Sequence, residues 1–355
     1  MPQPEILFHQ NANAGIITLN RPEALNAVTH SMVKLLHAQL LEWERDETVK
    51  QVIIKAAPGR AFSAGGDIRD LYERGIADEP HLQFFWDEYR LNAYIKAYPK
   101  PYIALIDGIV MGGGVGVSFH GSHRVAGDNI SFAMPEVGIG FFPDVGGAYF
   151  LPRLPGEVGL YLALTGNRIK KHDCLWSGLT THYCPGNDLA ELEEALCCSD
   201  NVEVLLDSYQ VKSFDAPLNK NLSQINQAFG ARSLFEIYEC LMEMANIDAT
   251  AEWATKTLDV MKTKSPTSMA IAFRQMREGK RLTFNQAMQL EYRIVSRVLV
   301  GTEFYEGIRA VIVDKDGNPD WTPDNIDSID PGMIDAVFAP LTGEAGTLGG
   351  ELQFE

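Results

Sequence analysis

The chain has 355 residues, 46% of them hydrophobic and 22% charged, a globular composition that excludes collagen, coiled coil and disorder. Thirty Lys and Arg against 47 Asp and Glu leave a formal net charge of −17, which repels a phosphate backbone and argues against a nucleic-acid partner. Apolar runs such as 52–54 and 102–106 are far too short to span a bilayer, and Met1-Pro2-Gln3-Pro4-Glu5 has no basic or apolar leader character, so a cytoplasmic protein with no membrane partner is expected.

Residues 6–9 and 15–19 read as a strand pair across Asn11-Ala12-Asn13-Ala14. A helix follows from Thr29, a suitable N-cap, with Met32, Leu35, Leu36, Leu40 and Trp43 at helical spacing. Residues 52–55 form a short buried strand closed by Pro58-Gly59. Helical stretches are then expected over 70–74 and 79–98, the second stopped by Pro99 and Pro101. Residues 102–106 make the next strand, Asp107-Gly108 a turn, and Gly112-Gly113-Gly114 the start of a small-residue helix. This alternation predicts an α/β protein of wound ββα units. Beyond about residue 200 the pattern turns helical, over 205–211, 233–244, 252–261, 270–276 and 282–300. Ser265-Pro266 is the clearest start, with Ser as N-cap and Pro at the first helical position. Residues 341–355 read as a flexible tail.

Metal and cofactor signatures are missing. Five cysteines without C-x-x-C spacing argue against a disulfide framework or zinc site. His120 and His123 have no third ligand at suitable spacing, so they read as a helix-end pair and no metal is expected. Glycine is unevenly placed: 11 of 31 lie between Gly108 and Gly147. Such a cluster suits a backbone that must approach another group closely. Two loops, Ala61-Phe62-Ser63-Ala64-Gly65-Gly66-Asp67 and Gly112-Gly113-Gly114, each sit between an expected strand and an expected helix. Their N–H groups could converge on one oxygen, or the glycines could serve tight helix–strand packing.

Leu25-Asn26-Ala27, the 61–67 loop, Asp107-Gly108 with Met111-Gly112-Gly113-Gly114, and Phe132-Ala133-Met134-Pro135-Glu136 with Gly138 resemble the crotonase superfamily. The resemblance implies a crotonase-like spiral over residues 1–200 followed by a helical C-terminal region over 201–340. It also implies an acyl-CoA substrate, with the amides of Gly66 and Gly113 forming an oxyanion hole. Hydratases of the superfamily carry a catalytic Glu two residues after the glycine triplet, where this chain has Gly116. Several further motifs are similar to the 3-hydroxyisobutyryl-CoA hydrolase branch: Met134-Pro135-Glu136, the 140–147 stretch with Asp144, Asp87-Glu88-Tyr89, Lys264-Ser265-Pro266-Thr267-Ser268 and Glu291-Tyr292-Arg293.

That resemblance implies hydrolysis of a short branched 3-hydroxyacyl-CoA, with Glu136 and Asp144 catalytic and Glu88 facing the acyl group. Ala64, Asp67 and Ile68 would line the coenzyme A channel, and Arg60, Lys262 or Lys264 would meet its phosphates. Coenzyme A is then part of the substrate and the leaving group, with no separate cofactor, and assembly into a homo-oligomer is compatible with the family. On the residues alone, Glu136 could instead cap a turn, Asp144 could be the N-cap of a 145–150 helix, and Glu88 could be a solvated helix-face acid. A hydratase or isomerase, and a non-catalytic acyl-CoA-binding protein, are the competing functions.

Overall fold

The computed structural model describes residues 3–77, 79, 81–209 and 215–354. It divides into two compact units, each drawn from three stretches of chain: Met1–Asp67, Asp87–Ala133 and Arg168–Asn219 in one; Ile68–Trp86, Met134–Asn167 and Lys220–Glu355 in the other.

The first unit contains β1 (Ile6–Asn11), β2 (Ala14–Leu19), β3 (Gln51–Ala56), β4 (Ala61–Ser63), β5 (Tyr102–Ile106), β6 (Ile109–Met111), β7 (His123–Ala126), β8 (Ser131–Ala133), β9 (Ile169–Lys170) and β10 (His182–Tyr183). Three successive pairs, β3/β4, β5/β6 and β7/β8, each place their first strand in a six-stranded sheet of order β1-β2-β3-β5-β7-β10. Their second strands join a four-stranded sheet of order β4-β6-β8-β9. The repeated step is the ββα spiral of the crotonase fold. β1 and β2 are antiparallel, while β2, β3, β5, β7 and β10 run parallel. Parallel strands covered on both faces read as unbroken apolar runs rather than alternating ones, and Val52, Ile53 and Ile54 are all fully buried. One face packs Ile16, Ile53, Ile103 and Val125 against Leu192 and Leu196 of the helix Leu189–Cys198 and Leu206 of the helix Val202–Asp207. The helix His30–Arg45 begins as expected, with the Thr29 hydroxyl accepting from the Met32 N–H at 3.2 Å.

The second unit is helical. Every residue of the helix Val158–Thr165 is buried, as suits an element that is apolar on all sides. The helices Leu222–Phe229, Ala251–Met261 and Pro266–Gly279 pack around it. Ser265 caps the last of these, accepting from the Ser268 N–H at 3.0 Å, and Thr283 with Gln286 forms a capping box on Phe284–Val298. No helix among the described residues is long and apolar enough to cross a membrane.

Three expectations change. The chain does not partition at a single point near residue 200: 68–86 and 134–167 group with the C-terminal helices. The physical reason is Val158–Thr165, whose all-round apolar surface needs helices on every side. The expected helix over 205–211 is observed as Val202–Asp207, and residues 210 and 211 lie outside the described ones. Residues 341–354 are not a loose tail. Leu352 is fully buried, Glu351 accepts from the Arg293 guanidinium at 2.9 Å, and the Tyr292 hydroxyl donates to the Leu348 carbonyl at 2.6 Å. Glycine-rich composition hid a strap that one apolar residue and one ion pair hold down. Leu352→Ala is accordingly expected to lower the unfolding free energy by about 2–5 kcal/mol in urea titration, as for other buried leucines; an unchanged midpoint would mean the strap carries no stability.

Candidate active site

In the first unit, the residues that precede the 61–67 loop fix its shape. Leu25 and Asn26 both adopt left-handed backbone, φ 52° and 54°. The Asn26 side chain accepts from the Arg21 N–H at 2.8 Å and donates to the Ala61 carbonyl at 3.0 Å. The Ala64 N–H donates to Leu25, the Val28 N–H to Gly65, and the Asp67 N–H to Val28. The Gly66 N–H takes no part in this set. Gly113, as the first residue of the helix Gly113–Gly116, has one of the N–H groups that a helix leaves without an internal acceptor.

The two glycines lie side by side. A Cβ on Gly113 would stand 3.2 Å from the Gly66 nitrogen and 2.8 Å from Glu88 Oε1. A side chain there would press on the Gly66 nitrogen and displace the Glu88 carboxyl. Two N–H groups so placed can hold a single oxygen, and in a site closed to water such donors are worth several kcal/mol to a developing negative charge. Glu88 is 2% exposed, which overturns the solvated-helix alternative and brings its carboxyl to the glycine pair. Asp67 is held by Arg21, Nη2 to Oδ2 at 3.0 Å, so its side chain braces the loop. Ala64 and Asp67 are half-buried, and Arg60 is exposed.

In the second unit, Ile68 opens the helix Ile68–Ile76 and is half-buried. Glu136 begins a short 3₁₀ turn, Glu136–Ile139, after Pro135. Gly140 ends the turn at φ +68°, where a Cβ would meet the Glu303 carbonyl oxygen at 2.1 Å, so glycine is required on both counts. Glu136 is 6% exposed, and its Oε2 is buried with no hydrogen-bond partner among the described residues. Burial, then the charge of Asp144 and more weakly that of Glu291, hold its pKa well above the ordinary carboxylate range.

Asp144 is also buried and sits in a loop of unusual shape, with Val145 at φ +48° and Gly146 at φ +90°. It does not cap the following helix, Gly147–Phe150, whose N-cap is Gly146. A distant carboxyl group does that work. Glu291, on Phe284–Val298 and fully buried, accepts from the N–H groups of Gly146 and Ala148, each at 2.8 Å. Gln275 donates to the Pro143 carbonyl at 2.6 Å from the other side. Burial raises the Glu291 pKa and Asp144 adds to it, while the two N–H bonds pull the other way.

The structure therefore groups Gly66, Gly113 and Glu88 in the first unit, and Glu136, Asp144 and Glu291 in the second. The phosphate-binding candidates separate too. Lys262 is exposed and pairs with Asp259 at 3.5 Å. Lys264 is half-buried over the Glu136 turn, its Nζ 3.5 Å from a Gly138 Cβ position, with burial lowering its pKa. Glu291 and Gln275 had no assigned role in sequence. The legible signal was an acid beside the buried stripe Met288, Tyr292, Val295, Leu299. Glu291→Ala is expected to leave two buried N–H groups unpaired at about 1–3 kcal/mol each, read as a lower urea midpoint together with loss of turnover. Wild-type stability in that variant would mean the clamp is dispensable.

The chain matches the enoyl-CoA hydratase/isomerase family over residues 14–338. It is 46% identical to the mitochondrial 3-hydroxyisobutyryl-CoA hydrolase of Xenopus tropicalis, over 95% of this chain and 89% of that protein, and 42% identical to the Homo sapiens protein of the same name over the same shares. Among solved structures, a carnitinyl-CoA dehydratase from Mycobacterium thermoresistibile superposes with a TM-score of 0.91 at 36% identity, covering 99% of each chain. An enoyl-CoA hydratase from Rhodobacter sphaeroides 2.4.1 gives 0.87 at 35% identity, covering 95% of this chain and 98% of that one. The relatives named mitochondrial overturn the cytoplasmic expectation. That expectation rested on the composition of the first few residues alone. From the match to its family profile and the near-complete alignment with its relatives, the chain belongs to the enoyl-CoA hydratase/isomerase family.

Proposed function

We propose that the protein hydrolyses 3-hydroxyisobutyryl-CoA to 3-hydroxyisobutyrate and coenzyme A, the hydrolysis that its curated relatives' names describe, and that it does so in valine catabolism. The observation that carries this reading within the family is the pair Gly116 and Glu136. Gly116 supplies no acid where hydratases have one, while Glu136 is a buried carboxyl whose Oε2 has no hydrogen-bond partner among the described residues. The names of the solved hydratase and dehydratase describe addition or removal of water at a carbon–carbon bond. A single acid with no second carboxyl at position 116 suits attack on a thioester better.

In the proposed reaction the thioester oxygen accepts from the Gly66 and Gly113 N–H groups. Glu136 as carboxylate either attacks the carbonyl carbon or deprotonates a water that does. The C–S bond breaks, the coenzyme A sulfur leaves and is protonated, and water supplies the oxygen of the released acid. Asp144 acts beside Glu136, and its charge opposes ionisation of Glu136. Glu88 faces the acyl group, and Ala64, Asp67 and Ile68 line the coenzyme A channel. Lys264 is the better placed lysine for a phosphate. This scheme requires no metal and no cofactor beyond the coenzyme A of the substrate.

Glu136→Gln keeps the shape of the side chain but is neither base nor nucleophile. Its thiol release at saturating 3-hydroxyisobutyryl-CoA is expected to fall by ~10²–10⁴-fold, with product affinity kept; more than about a tenth of wild-type turnover would remove Glu136 from the mechanism. The same variant tests the electrostatics. A buried carboxyl raised in the folded state keeps a proton that the unfolded chain releases, so native stability falls as pH rises from the unfolded value through the folded one. Glu136→Gln lacks this loss, and its melting temperature is expected to gain on the wild type with rising pH across that window. Parallel curves would show that Glu136 is not raised.

A further inference from the structure

The first unit holds a second cluster of titratable groups that the thioester chemistry does not use. His123 opens β7, and His182 opens β10, its parallel neighbour at the edge of the six-stranded sheet. Their rings are 5.9 Å apart. Glu203 and Asp207 stand one turn apart on the helix Val202–Asp207. His123 Nε2 is 2.9 Å from Glu203 Oε2, and His182 Nε2 is 3.8 Å from Asp207 Oδ1. One ligand atom each from His182, Glu203 and Asp207 lies within 4.8 Å of the others. His182 is 4% exposed, and its Nε2 is buried without a hydrogen-bond partner among the described residues.

The other nitrogen of the His182 ring explains why Nε2 offers a lone pair. His182 Nδ1 lies 2.9 Å from the Thr181 hydroxyl, which donates its hydrogen to the Arg124 carbonyl at 3.1 Å and accepts from the Arg124 N–H at 2.9 Å. A Thr181 hydrogen directed to the Arg124 carbonyl leaves its oxygen to accept from Nδ1–H, the tautomer in which Nε2 can bind a metal. His123 also meets a hydroxyl. Its Nδ1 lies 2.8 Å from that of Ser122, which stands 3.2 Å from the Tyr102 carbonyl oxygen and accepts from the Tyr102 N–H at 3.0 Å. His182 thus turns an Nε2 with no hydrogen-bond partner among the described residues toward Asp207, while His123 Nε2 stands within hydrogen-bond distance of Glu203 and holds it in place. An Nδ1–H held by an outer oxygen is the way proteins orient a histidine that binds metal through Nε2. The nearby Arg124 does not fill the gap, because its guanidinium donates to the carbonyls of Leu179 and Gly121 at 2.7 and 3.1 Å.

We propose that His182, Glu203 and Asp207 form a binding site for a zinc-class divalent metal ion that ties β10 to the helix Val202–Asp207, with His123 positioning Glu203 from outside the site. One imidazole and two carboxylates, with water in the fourth position, match the nitrogen and oxygen ligands such an ion takes. Bonds of ~2.0–2.2 Å set ligand atoms roughly 3.3–3.5 Å apart, and the three atoms here already lie within 4.8 Å of one another. The expectation from sequence that no metal is bound rested on His120 and His123. The partner of His123 is instead His182, brought next to it by parallel strand pairing.

The test uses the full chain, stripped with chelator and titrated with zinc chloride by calorimetry and with cobalt(II) by visible absorption. One equivalent of zinc, a raised melting temperature and the intense bands of four-coordinate cobalt are expected. Glu203→Gln with Asp207→Asn changes two largely exposed side chains and so keeps the fold. It is expected to weaken zinc by more than the ~10–100-fold typical of losing an outer-shell partner. His182→Gln should abolish the cobalt bands. No stoichiometric binding, or equal affinity in the carboxylate variant, overturns the proposal. So does nitrogen NMR showing a proton on His182 Nε2 with zinc in excess.

Discussion

Glu291 has no exposed surface, and both of its carboxyl oxygens are taken up by backbone N–H groups two residues apart, at Gly146 and Ala148. This contact sets the shape of the Pro143-Asp144-Val145-Gly146 loop, and the loop places Asp144. Val145 shows how much shape is imposed: a β-branched residue at positive φ costs on the order of 1–3 kcal/mol and persists only where its surroundings over-determine it. The carboxyl of Glu291 on one side and the amide of Gln275 on the other supply that determination. Asp144, so placed, adds its charge to the burial of Glu136. Three carboxyl groups from three parts of the sequence therefore act as one electrostatic unit, and Glu136 titrates far from where an exposed glutamate would.

The first unit solves a different problem, that of leaving N–H groups available. Arg21, Asn26 and Asp67 use side chains to fix a loop in which the neighbours of Gly66 bond to backbone, while the Gly66 N–H makes no such bond among the described residues. The start of a helix does the same for Gly113. The missing side chain at 113 leaves room for the Gly66 nitrogen beside it, and position 116 carries no carboxyl. Glycine acts at both positions through what it lacks.

Local signals in the sequence were legible where the deciding interaction is itself local. Thr29 and Ser265 cap helices because each hydroxyl answers an N–H only a few residues away. The strand runs at 52–55 and 102–106 were clear because parallel strands bury both faces. The family motifs pointed to Glu136, Asp144, Gly66 and Gly113 by residue type. Interactions between distant segments left no such trace. Glu291 reads as one acid among many on a helix until Gly146 is packed beneath it. The helix Val158–Thr165 has no polar face, so periodicity could not say which elements would surround it. The 341–354 strap hides one buried leucine in a glycine-rich run, and His123 shows its partner only after β7 and β10 pair.

The central claim is that burial beside Asp144 and Glu291 holds Glu136 protonated above the ordinary carboxylate range. Carbon NMR of protein labelled at glutamate side-chain carboxyls, titrated with pH, tests it most directly, with Glu136→Gln identifying the resonance. The account predicts a carboxyl signal that titrates well above the exposed glutamates, vanishes in Glu136→Gln and moves to lower pH in Asp144→Asn. A Glu136 signal that titrates with the exposed glutamates, or ignores the loss of Asp144, would contradict it.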